Sequence, residues 1–256
     1  MTEPKQTRGR PLKDLSRRLR LALYHWRHGP GFTYHGIPIA IPDEIPFSIK
    51  RQLMEGRYEE PERRLVERFL DPALPLIEVG GSLGVLSAYI GRRLLPEAPY
   101  LVVEANSRIV ETCRANARTG RGPDGRLTVM NCALAYGASE VSFPVSDNIH
   151  GNRLGSASGA RPKTITVTAH SLADLRRLLD QRPGPFTLVI DIEGYEYDVF
   201  GNDSATLKDC ALAIVETHPP LFAERGKTLE DFLDLVRGNG FEILARDGAS
   251  FAFGRT

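Results

Sequence analysis

From Leu74 onward the sequence alternates between short apolar segments and longer amphipathic ones. The apolar segments include "LPLIEV", "YLVVEA", "FTLVIDI" and "ALAIVET", and helix-like patterns such as "GVLSAYIGRRL" lie between them. Apolar strands that alternate with helices predict a parallel sheet covered by helices on both faces. The closing pair "FEILARD" and "SFAFGR" predicts that an antiparallel strand joins the edge of this sheet. The predicted fold class is therefore α/β with a mostly parallel sheet.

The first 70 residues follow a different pattern. "LKDLSRRLRLALYHW" predicts a basic amphipathic helix, "GFTYHGIPIAIP" a small β-hairpin, and "FSIKRQLMEG" and "EEPERRLVERFL" two further helices. A length of 256 residues suits one large domain with an extension. We therefore predict an N-terminal lid of basic helix, hairpin and helices over residues 1–70 and an α/β domain over residues 71–256.

Charge is distributed unevenly along the chain. The net charge of +1 excludes a chain that is strongly polyanion-seeking as a whole. Basic residues are concentrated in residues 1–28, where only Glu3 and Asp14 oppose them. This segment is either a frayed tail that leads into a solvated helix face, or a contact with an anionic membrane surface or nucleic acid.

The cysteine count and the hydropathy of the chain indicate the cellular compartment that it suits. Cys113, Cys132 and Cys210 are too scattered for a metal cluster, and their odd number argues against a disulfide framework. Such usage suits a reducing compartment, and no apolar run reaches membrane-spanning length. We expect a cytoplasmic protein that could associate with a membrane through its basic N-terminus.

A glycine-rich turn follows the strand "LPLIEV". It contains Gly80, Gly81, Ser82 and Gly84, and Glu78 stands just before it. In such sheets ligands bind beyond the carboxyl ends of the strands, where the strand order reverses. Gly80 and Gly81 would let the backbone approach a ligand, and Gly84 would bring the next helix against the strand.

The residues in this turn discriminate between nucleotide ligands. A dinucleotide would prefer G-x-G-x-x-G, but Ser82 takes the place of the second glycine and Glu78 would repel a pyrophosphate. A nucleoside triphosphate would require Lys after the last glycine, where Val85 stands. S-adenosylmethionine has no phosphate and carries an ammonium, a sulfonium and two ribose hydroxyls, so nearby carboxylates would attract it.

The end of the second strand supports S-adenosylmethionine as the ligand. Glu104 lies 20 positions beyond Gly84, where an acid can accept the protons of both ribose hydroxyls. Ala105 and Asn106 follow in the same loop. The sequence therefore predicts binding of this cofactor by residues 78–84 together with residues 104–106.

A second acidic cluster follows the strand "FTLVIDI". Asp191 ends that strand and Glu193 follows it, and the next strand ends in Glu216 and His218. We predict Asp191, Glu193 and His218 as catalytic residues, with Asp191 beside the cofactor, orienting a substrate hydroxyl, and His218 accepting its proton. A divalent cation such as Mg²⁺, held by Asp191, Glu193 and Glu216, would be an alternative.

Two residues of this cluster also have structural interpretations. Glu196, three residues after Glu193, could only cap or solvate the start of a helix. His218 could be no more than a turn residue before Pro219.

Several segments together resemble the FkbM family of methyltransferases. "LIEVGGSLG", "LVVEAN", "NCAL", "VTAHSLADL", "VIDIEGYE" and "IVETH" occur in that family's order and spacing, and "GRYEEPE" resembles its tyrosine-glutamate segment. The resemblance covers roughly residues 55–220. It implies a class I, Rossmann-like, seven-stranded sheet and S-adenosylmethionine as methyl donor. It also implies O-methylation of a hydroxyl on a sugar, glycan, polyketide or similar metabolite.

The resemblance also implies roles for individual residues. Glu78, Gly80, Gly81 and Gly84 would line the methionine end of the cofactor, and Glu104 would bind ribose. The segment Asn131, Cys132 and Ala133 follows the third strand, where the adenine edge is usually held. The turn reads Gly-Gly-Ser-Leu-Gly, whereas family members often have Ala-Asn or similar polar residues, so the contacts to the methionine amine stay open.

Three other functions remain as alternatives. "THPPLF" superficially resembles the Asn-Pro-Pro-aromatic motif of nucleic-acid methyltransferases, but His218 and Leu221 replace the key residues. Basic patches interleaved with aromatics are also missing outside the N-terminus, which disfavours a nucleic-acid partner. A non-catalytic cofactor- or membrane-binding module is opposed by the intact "DIEGYE" and "ETH". An NAD oxidoreductase is opposed by Glu78 and Ser82.

The acceptor would be a small molecule or a glycan, and the sequence indicates neither its identity nor an oligomeric state. We predict that residues 146–163, rich in Gly and Ser, are mobile and close over the acceptor.

Overall fold

A computed structural model describes residues 10–29, 31–145 and 163–255. Of the segment 146–163, for which mobility is predicted, only Lys163 lies within the described residues. The described strands are β1 (Phe32–Tyr34), β2 (Ile37–Ile39), β3 (Leu76–Val79), β4 (Tyr100–Val103), β5 (Leu127–Met130), β6 (Ala133–Leu134), β7 (Glu140–Val145), β8 (Lys163–His170), β9 (Phe186–Ile190), β10 (Cys210–Glu216), β11 (Glu242–Asp247) and β12 (Ser250–Gly254). The described helices are α1 (Arg10–His28), α2 (Phe47–Met54), α3 (Glu60–Phe69), α4 (Val85–Arg93), α5 (Val110–Arg121), α6 (Leu172–Leu179), α7 (Glu196–Asn202), α8 (Ser204–Leu207), α9 (Pro219–Glu224) and α10 (Leu229–Gly238).

The central sheet has seven strands in the order β11-β12-β10-β9-β3-β4-β5. β12 runs antiparallel to both of its neighbours, and the pairs from β10 to β5 are parallel. β3, β4 and β9 are buried along their whole length, as strands between two helical layers must be. The predicted fold class is confirmed, including the antiparallel strand. In chain order, β4 and β5 are added on one side of β3, and β9 and β10 on the other. The strand order therefore reverses between β3 and β9, which is the switch point of the sheet.

A second sheet of three strands has the order β6-β8-β7. The segment "RLTVMNCAL" forms two strands, β5 in the central sheet and β6 in this one. The side-chain amide of Asn131 donates to the backbone oxygens of Glu104 and Ala105, at 2.8 and 3.0 Å, and ties the chain to the loop after β4. β6 then leaves the main sheet and pairs with β8.

The N-terminal extension forms the helix, hairpin and two helices predicted for it. Hairpin residues such as Tyr34 and Ile37 are buried in one hydrophobic cluster with Leu83 and Tyr89 of the main domain. The hairpin and α5 are also joined by hydrogen bonds between the backbone of Ala40 and the side chain of Asn116. The extension therefore shares its core with the sheet, and the domain boundary at residue 70 stays a prediction. No helix in the described ranges is long and apolar enough to cross a bilayer.

Helices α4 and α5 pack backbone against backbone. A Cβ on Gly120 would lie 1.9 Å from the backbone oxygen of Ala88, a distance that no real contact allows. Next to Gly120, the buried guanidinium of Arg121 donates to a ring of carbonyls, including those of Leu94 and Ala98 at 2.8 and 2.6 Å. These contacts with α5 fix the position of α4, the helix that follows the glycine turn.

We expect Gly120→Ala to lower the free energy of unfolding by at least about 2 kcal/mol, because the added methyl must push two helix backbones apart. Gly238, also helical, provides the matched control, because an added Cβ there would meet nothing within 4 Å. Gly238→Ala should leave stability unchanged or raise it by up to about 1 kcal/mol. Urea unfolding measures both, and equal stabilities for the two variants would contradict this account of the helix contact.

Candidate active site

The glycine turn after β3 is shaped by the protein's own packing. A Cβ on Gly80 would lie 1.8 Å from the backbone oxygen of Asp191, which follows β9. A Cβ on Gly81 would lie 2.8 Å from the sulfur of Cys113, and one on Gly84 would lie 2.5 Å from the Cys113 backbone oxygen. All three glycines are thus required by close contacts to β9 and α5. Sequence reasoning assigned Gly80 and Gly81 to ligand approach and missed these contacts.

Glu104 ties the glycine turn to the end of β4. Its Oε2 accepts from the backbone N–H of Ser82 at 2.7 Å, and its Oε1 accepts from that of Asn106 at 2.6 Å. Ser82 adopts a left-handed conformation with φ of 47°, which is uncommon for a residue with a side chain. Burial raises the pKa of Glu104 to about 7. The position predicted for ribose binding therefore holds a buried carboxyl group, and its two hydrogen bonds do not offset the effect of burial on its pKa.

Glu78 lies beneath the turn. Its carboxylate accepts a hydrogen bond from the hydroxyl of Tyr100 on β4, and its side chain is only 3% exposed. Burial raises its pKa to about 7. The structure thus gives Glu78 a partner inside the protein, and its predicted contact with the methionine end of the cofactor stays a prediction.

Glu196 organises the turn after β9. It is fully buried, and its Oε1 accepts from the backbone N–H groups of Ile192 and Gly194 at 3.1 and 3.2 Å. The same oxygen lies 3.1 Å from Nδ1 of His218. A carboxylate oxygen can only accept, so this contact requires the tautomer of His218 that carries its proton on Nδ1. The sequence suggested only that Glu196 caps or solvates the start of a helix, and did not reveal its contact with His218.

The opposite nitrogen of His218 faces the predicted catalytic acids. Nε2 lies 3.6 Å from Oδ1 of Asp191 and 3.8 Å from Oε2 of Glu193. Burial alone would lower the pKa of His218, but the hydrogen bond to Glu196 and the charges around it outweigh burial, so the pKa is raised. The pKa of Asp191 is raised well above its ordinary value by burial and by the charge of Glu216. The structure therefore brings together the predicted residues Asp191, Glu193 and His218.

The segment before α3 adds two residues that sequence reasoning did not place in the site. The hydroxyl of Tyr58 lies 3.3 Å from Oγ of Ser82, and the charge of Glu59 contributes to the raised pKa of Asp191. Glu59 is itself left-handed with φ of 47°, and burial raises its pKa well above the ordinary value. The signal for both was the tyrosine-glutamate pair in "GRYEEPE".

Within the described ranges one group of residues has the spacing for a metal ion. Asp191, Glu196 and His218 each offer a ligand atom, and these atoms lie within 4.8 Å of one another. Oδ1 of Asp191 and Oε2 of Glu196 have no hydrogen-bond partner although both atoms are buried. The predicted set of Asp191, Glu193 and Glu216 shares only Asp191 with this group, and a cation at either set stays a prediction.

The residues predicted at the adenine edge have mixed surroundings. The amide of Asn131 is engaged by the loop after β4, whereas Cys132 and Ala133 are buried. Cys132 lies in the hydrophobic cluster on one face of the sheet, and burial raises the pKa of its thiol to about 11. An adenine contact by this segment stays a prediction.

Comparisons with known proteins place the chain among methyltransferases. Residues 93–243, more than half of the chain, match the family model described as "Methyltransferase FkbM domain". The match begins after the glycine turn. No curated protein matches the chain.

Among solved structures, the chain is similar to magnesium protoporphyrin IX methyltransferase from Synechocystis PCC 6803, with 13% identity, a TM-score of 0.46, and coverage of 96% of this chain and 98% of that one. It is also similar to precorrin-6y C5,15-methyltransferase from Geobacter metallireducens GS-15, with 11% identity, a TM-score of 0.45, and coverage of 85% and 94%. At such scores these likenesses support no assignment of an acceptor.

The raised pKa of Glu78 predicts how stability depends on pH. The unfolded chain loses this proton near pH 4.5, whereas the folded protein keeps it up to about pH 7. The folded state is therefore penalised as pH rises through this window, by about 3 kcal/mol once both states are ionised. We expect Glu78→Gln, which keeps an acceptor for Tyr100, to flatten the fall of the unfolding free energy between pH 4.5 and 7.

The flattening should be partial, because Glu104 has a pKa in the same range. Glu224→Gln, at an exposed position, controls for the loss of one carboxylate. Urea titrations across the pH window measure the slopes, and identical slopes for Glu78→Gln and wild type would overturn the assignment.

Proposed function

Because the chain belongs to the FkbM methyltransferase family, we propose that it transfers the methyl group of S-adenosylmethionine to a hydroxyl of a sugar, glycan, polyketide or similar metabolite. The observation that carries this proposal is the pair Glu196–His218, which presents Nε2 to Asp191 beside the glycine turn. Such a pair suits removal of a proton from a weakly acidic hydroxyl.

The cofactor fits the residues around the turn. Each oxygen of Glu104 is engaged by one backbone N–H and can accept a second hydrogen bond, so the carboxylate can take both ribose hydroxyls. Asp191, Glu193 and Glu59 place three carboxyl groups at this edge of the sheet, and a ligand that carries sulfonium and ammonium charges would favour their ionised forms. When bound, the cofactor supplies an electrophilic methyl group.

The residues of the acidic cluster would prepare the acceptor. An alkyl or sugar hydroxyl is a poor nucleophile, so its proton must be withdrawn as the new bond forms. Nε2 of His218 can accept that proton, because Nδ1–H is already held by Glu196. Glu196 then stabilises the imidazolium. Oδ1 of Asp191 has no donor of its own and can accept a hydrogen bond from the acceptor, which orients it.

A divalent cation is the second way in which this cluster could activate a hydroxyl. Two buried carboxylate oxygens without partners, on Asp191 and Glu196, are the kind of ligands that Mg²⁺ binds. The cation would lower the pKa of a bound hydroxyl, and His218 would serve as a ligand or a neighbour. Turnover after exhaustive chelation separates the two proposals, because only the cation-dependent enzyme would become inactive.

We expect Glu104→Ala to weaken binding of S-adenosylmethionine by about 1.5–3 kcal/mol, the scale of hydrogen bonds to a charged group. Calorimetry measures the affinity, and Asp124→Ala at an exposed position is the matched control. Thermal unfolding of the ligand-free variant shows whether the turn still folds without its tether. An unchanged affinity would remove Glu104 from the cofactor site.

The proposed base predicts a pH profile. His218 must be neutral to accept a proton and its pKa is raised, so kcat/KM should increase with pH up to that raised pKa. Glu196→Gln removes the charge that raises it, while its amide oxygen can still accept from the turn. We expect the acidic limb to move to lower pH and turnover to fall about tenfold or more.

Asp198→Asn is the control for this profile, because Asp198 lies on the same helix but pairs with Arg225. Asp198→Asn should leave the acidic limb of the kcat/KM profile at the wild-type pH. If Glu196→Gln also leaves that limb unmoved, a group other than His218 is responsible for the profile.

Asp191→Asn should cut turnover at least about a hundredfold and leave cofactor affinity close to normal. Melting temperature, affinity and turnover should be measured on one preparation. A purely structural Asp191 would instead give a lower melting temperature and normal turnover of the folded fraction.

If the wild-type protein bound the cofactor but turned over no hydroxyl compound, a non-catalytic module would be favoured.

A further inference from the structure

Helix α1 presents an apolar stripe to solvent. Leu15, Leu19, Leu23 and Trp26 are 55, 61, 62 and 82% exposed. Their spacing places them on one face of the helix, within an arc of roughly 80°. Across the helix, Leu21 and Tyr24 pack against the rest of the protein. The stripe therefore faces away from the body of the protein.

Positive charge flanks the stripe on both sides. At helical spacing, Arg18 lies along one edge, and Arg20 and Arg27 lie along the other. The only acidic residue in the sequence of α1 is Asp14. A helix with an apolar stripe and basic flanks is built to lie in the plane of a membrane interface.

A cleft of about 250 Å³ opens between α1 and α2, beside one edge of the stripe. It is lined by Ser16, Arg17, Arg20, Phe47, Ser48 and Arg51. Three guanidinium groups and two hydroxyls surround this small cleft, and the nearby acid Glu55, which does not line it, pairs with Arg51 at 3.9 Å. Arginine binds phosphate through paired N–H groups, so a phosphate is the chemistry this cleft fits.

We propose that α1 docks on the surface of an anionic lipid bilayer, with the stripe at the headgroup–acyl boundary and a lipid phosphate in the arginine cleft. The charge of α1 favours this occupant over a second copy of the chain, which would bring two basic helices together. The residues involved lie outside the catalytic cluster, so this inference does not depend on the acceptor.

The single tryptophan of the chain, Trp26, reports on docking directly. We expect the full-length protein to show a blue shift of Trp26 emission with vesicles of phosphatidylcholine and phosphatidylglycerol, but little shift with phosphatidylcholine alone. Brominated acyl chains in the anionic vesicles should quench the emission, because quenching requires contact with the bilayer. Equal binding to both vesicle types, or a shift without quenching, would overturn the proposal.

Two double variants test the two halves of the site. Leu19→Ser/Leu23→Ser and Arg17→Gln/Arg20→Gln should each reduce co-sedimentation with anionic vesicles by about tenfold or more. Two matched controls should bind normally. Leu178→Ser changes an exposed leucine on α6, and Lys208→Gln/Arg237→Gln removes two positive charges outside α1 and α2. Binding that survives in both α1 variants would refute the proposal.

A vesicle-free measurement of mass in solution completes the test. If wild type forms a dimer that Leu19→Ser/Leu23→Ser dissociates, the stripe serves a second copy and the proposal is wrong. A monomer in both supports docking on the bilayer. Inorganic phosphate should compete only weakly with vesicles, because it cannot occupy the apolar stripe.

Discussion

The arrangement of the site depends on one backbone contact, between Gly80 at the end of β3 and Asp191 at the end of β9. No side chain fits between them, since a Cβ on Gly80 would lie 1.8 Å from the Asp191 oxygen. Because β3 and β9 meet at the switch point of the sheet, this contact places the glycine turn directly beside the acidic cluster. Gly81 and Gly84 allow the turn to pack closely against Cys113 of α5. The glycines thus set the distance between the proposed cofactor and acceptor sites, whichever ligand they approach.

Acidic groups collect around the carboxyl ends of the strands, and the protein compensates their burial only in part. Glu59, Asp191 and Glu104 all have raised pKa values, and burial is the largest cause for each. A folded protein tolerates such a cluster at a cost in stability when the groups are needed for a ligand. A cationic cofactor relieves that cost on binding. The raised pKa of His218 is the complementary effect, because Glu196, Glu193 and Glu216 stabilise its imidazolium.

The fold was predictable because it depends on regular patterns. Strands such as "LPLIEV" and "YLVVEA" are largely apolar. Asp191, Glu193 and His218 were predictable as a group because parallel strands end at one edge of a sheet. Other features depend on tertiary partners. The hydroxyl of Tyr100 donates to the carboxylate of Glu78, and the side chain of Asn131, between β5 and β6, donates to the backbone of Glu104. No local pattern reveals such contacts.

The N-terminal extension is physically joined to the proposed cofactor turn, although its sequence reads as a separate lid. In α1, the ring of Tyr24 stacks on Phe32 of the hairpin, with 5.7 Å between ring centroids. From the hairpin, the hydroxyl of Tyr34 donates to the backbone oxygen of Tyr58 at 2.6 Å. The hydroxyl of Tyr58 in turn lies 3.3 Å from Oγ of Ser82 in the turn. Each of these contacts involves a buried or partly buried ring, so displacement of the hairpin would disturb Tyr58 and, through it, Ser82. The extension, with α1 packed on its hairpin, therefore contacts the proposed cofactor turn through Tyr58, and changes within it should alter cofactor binding.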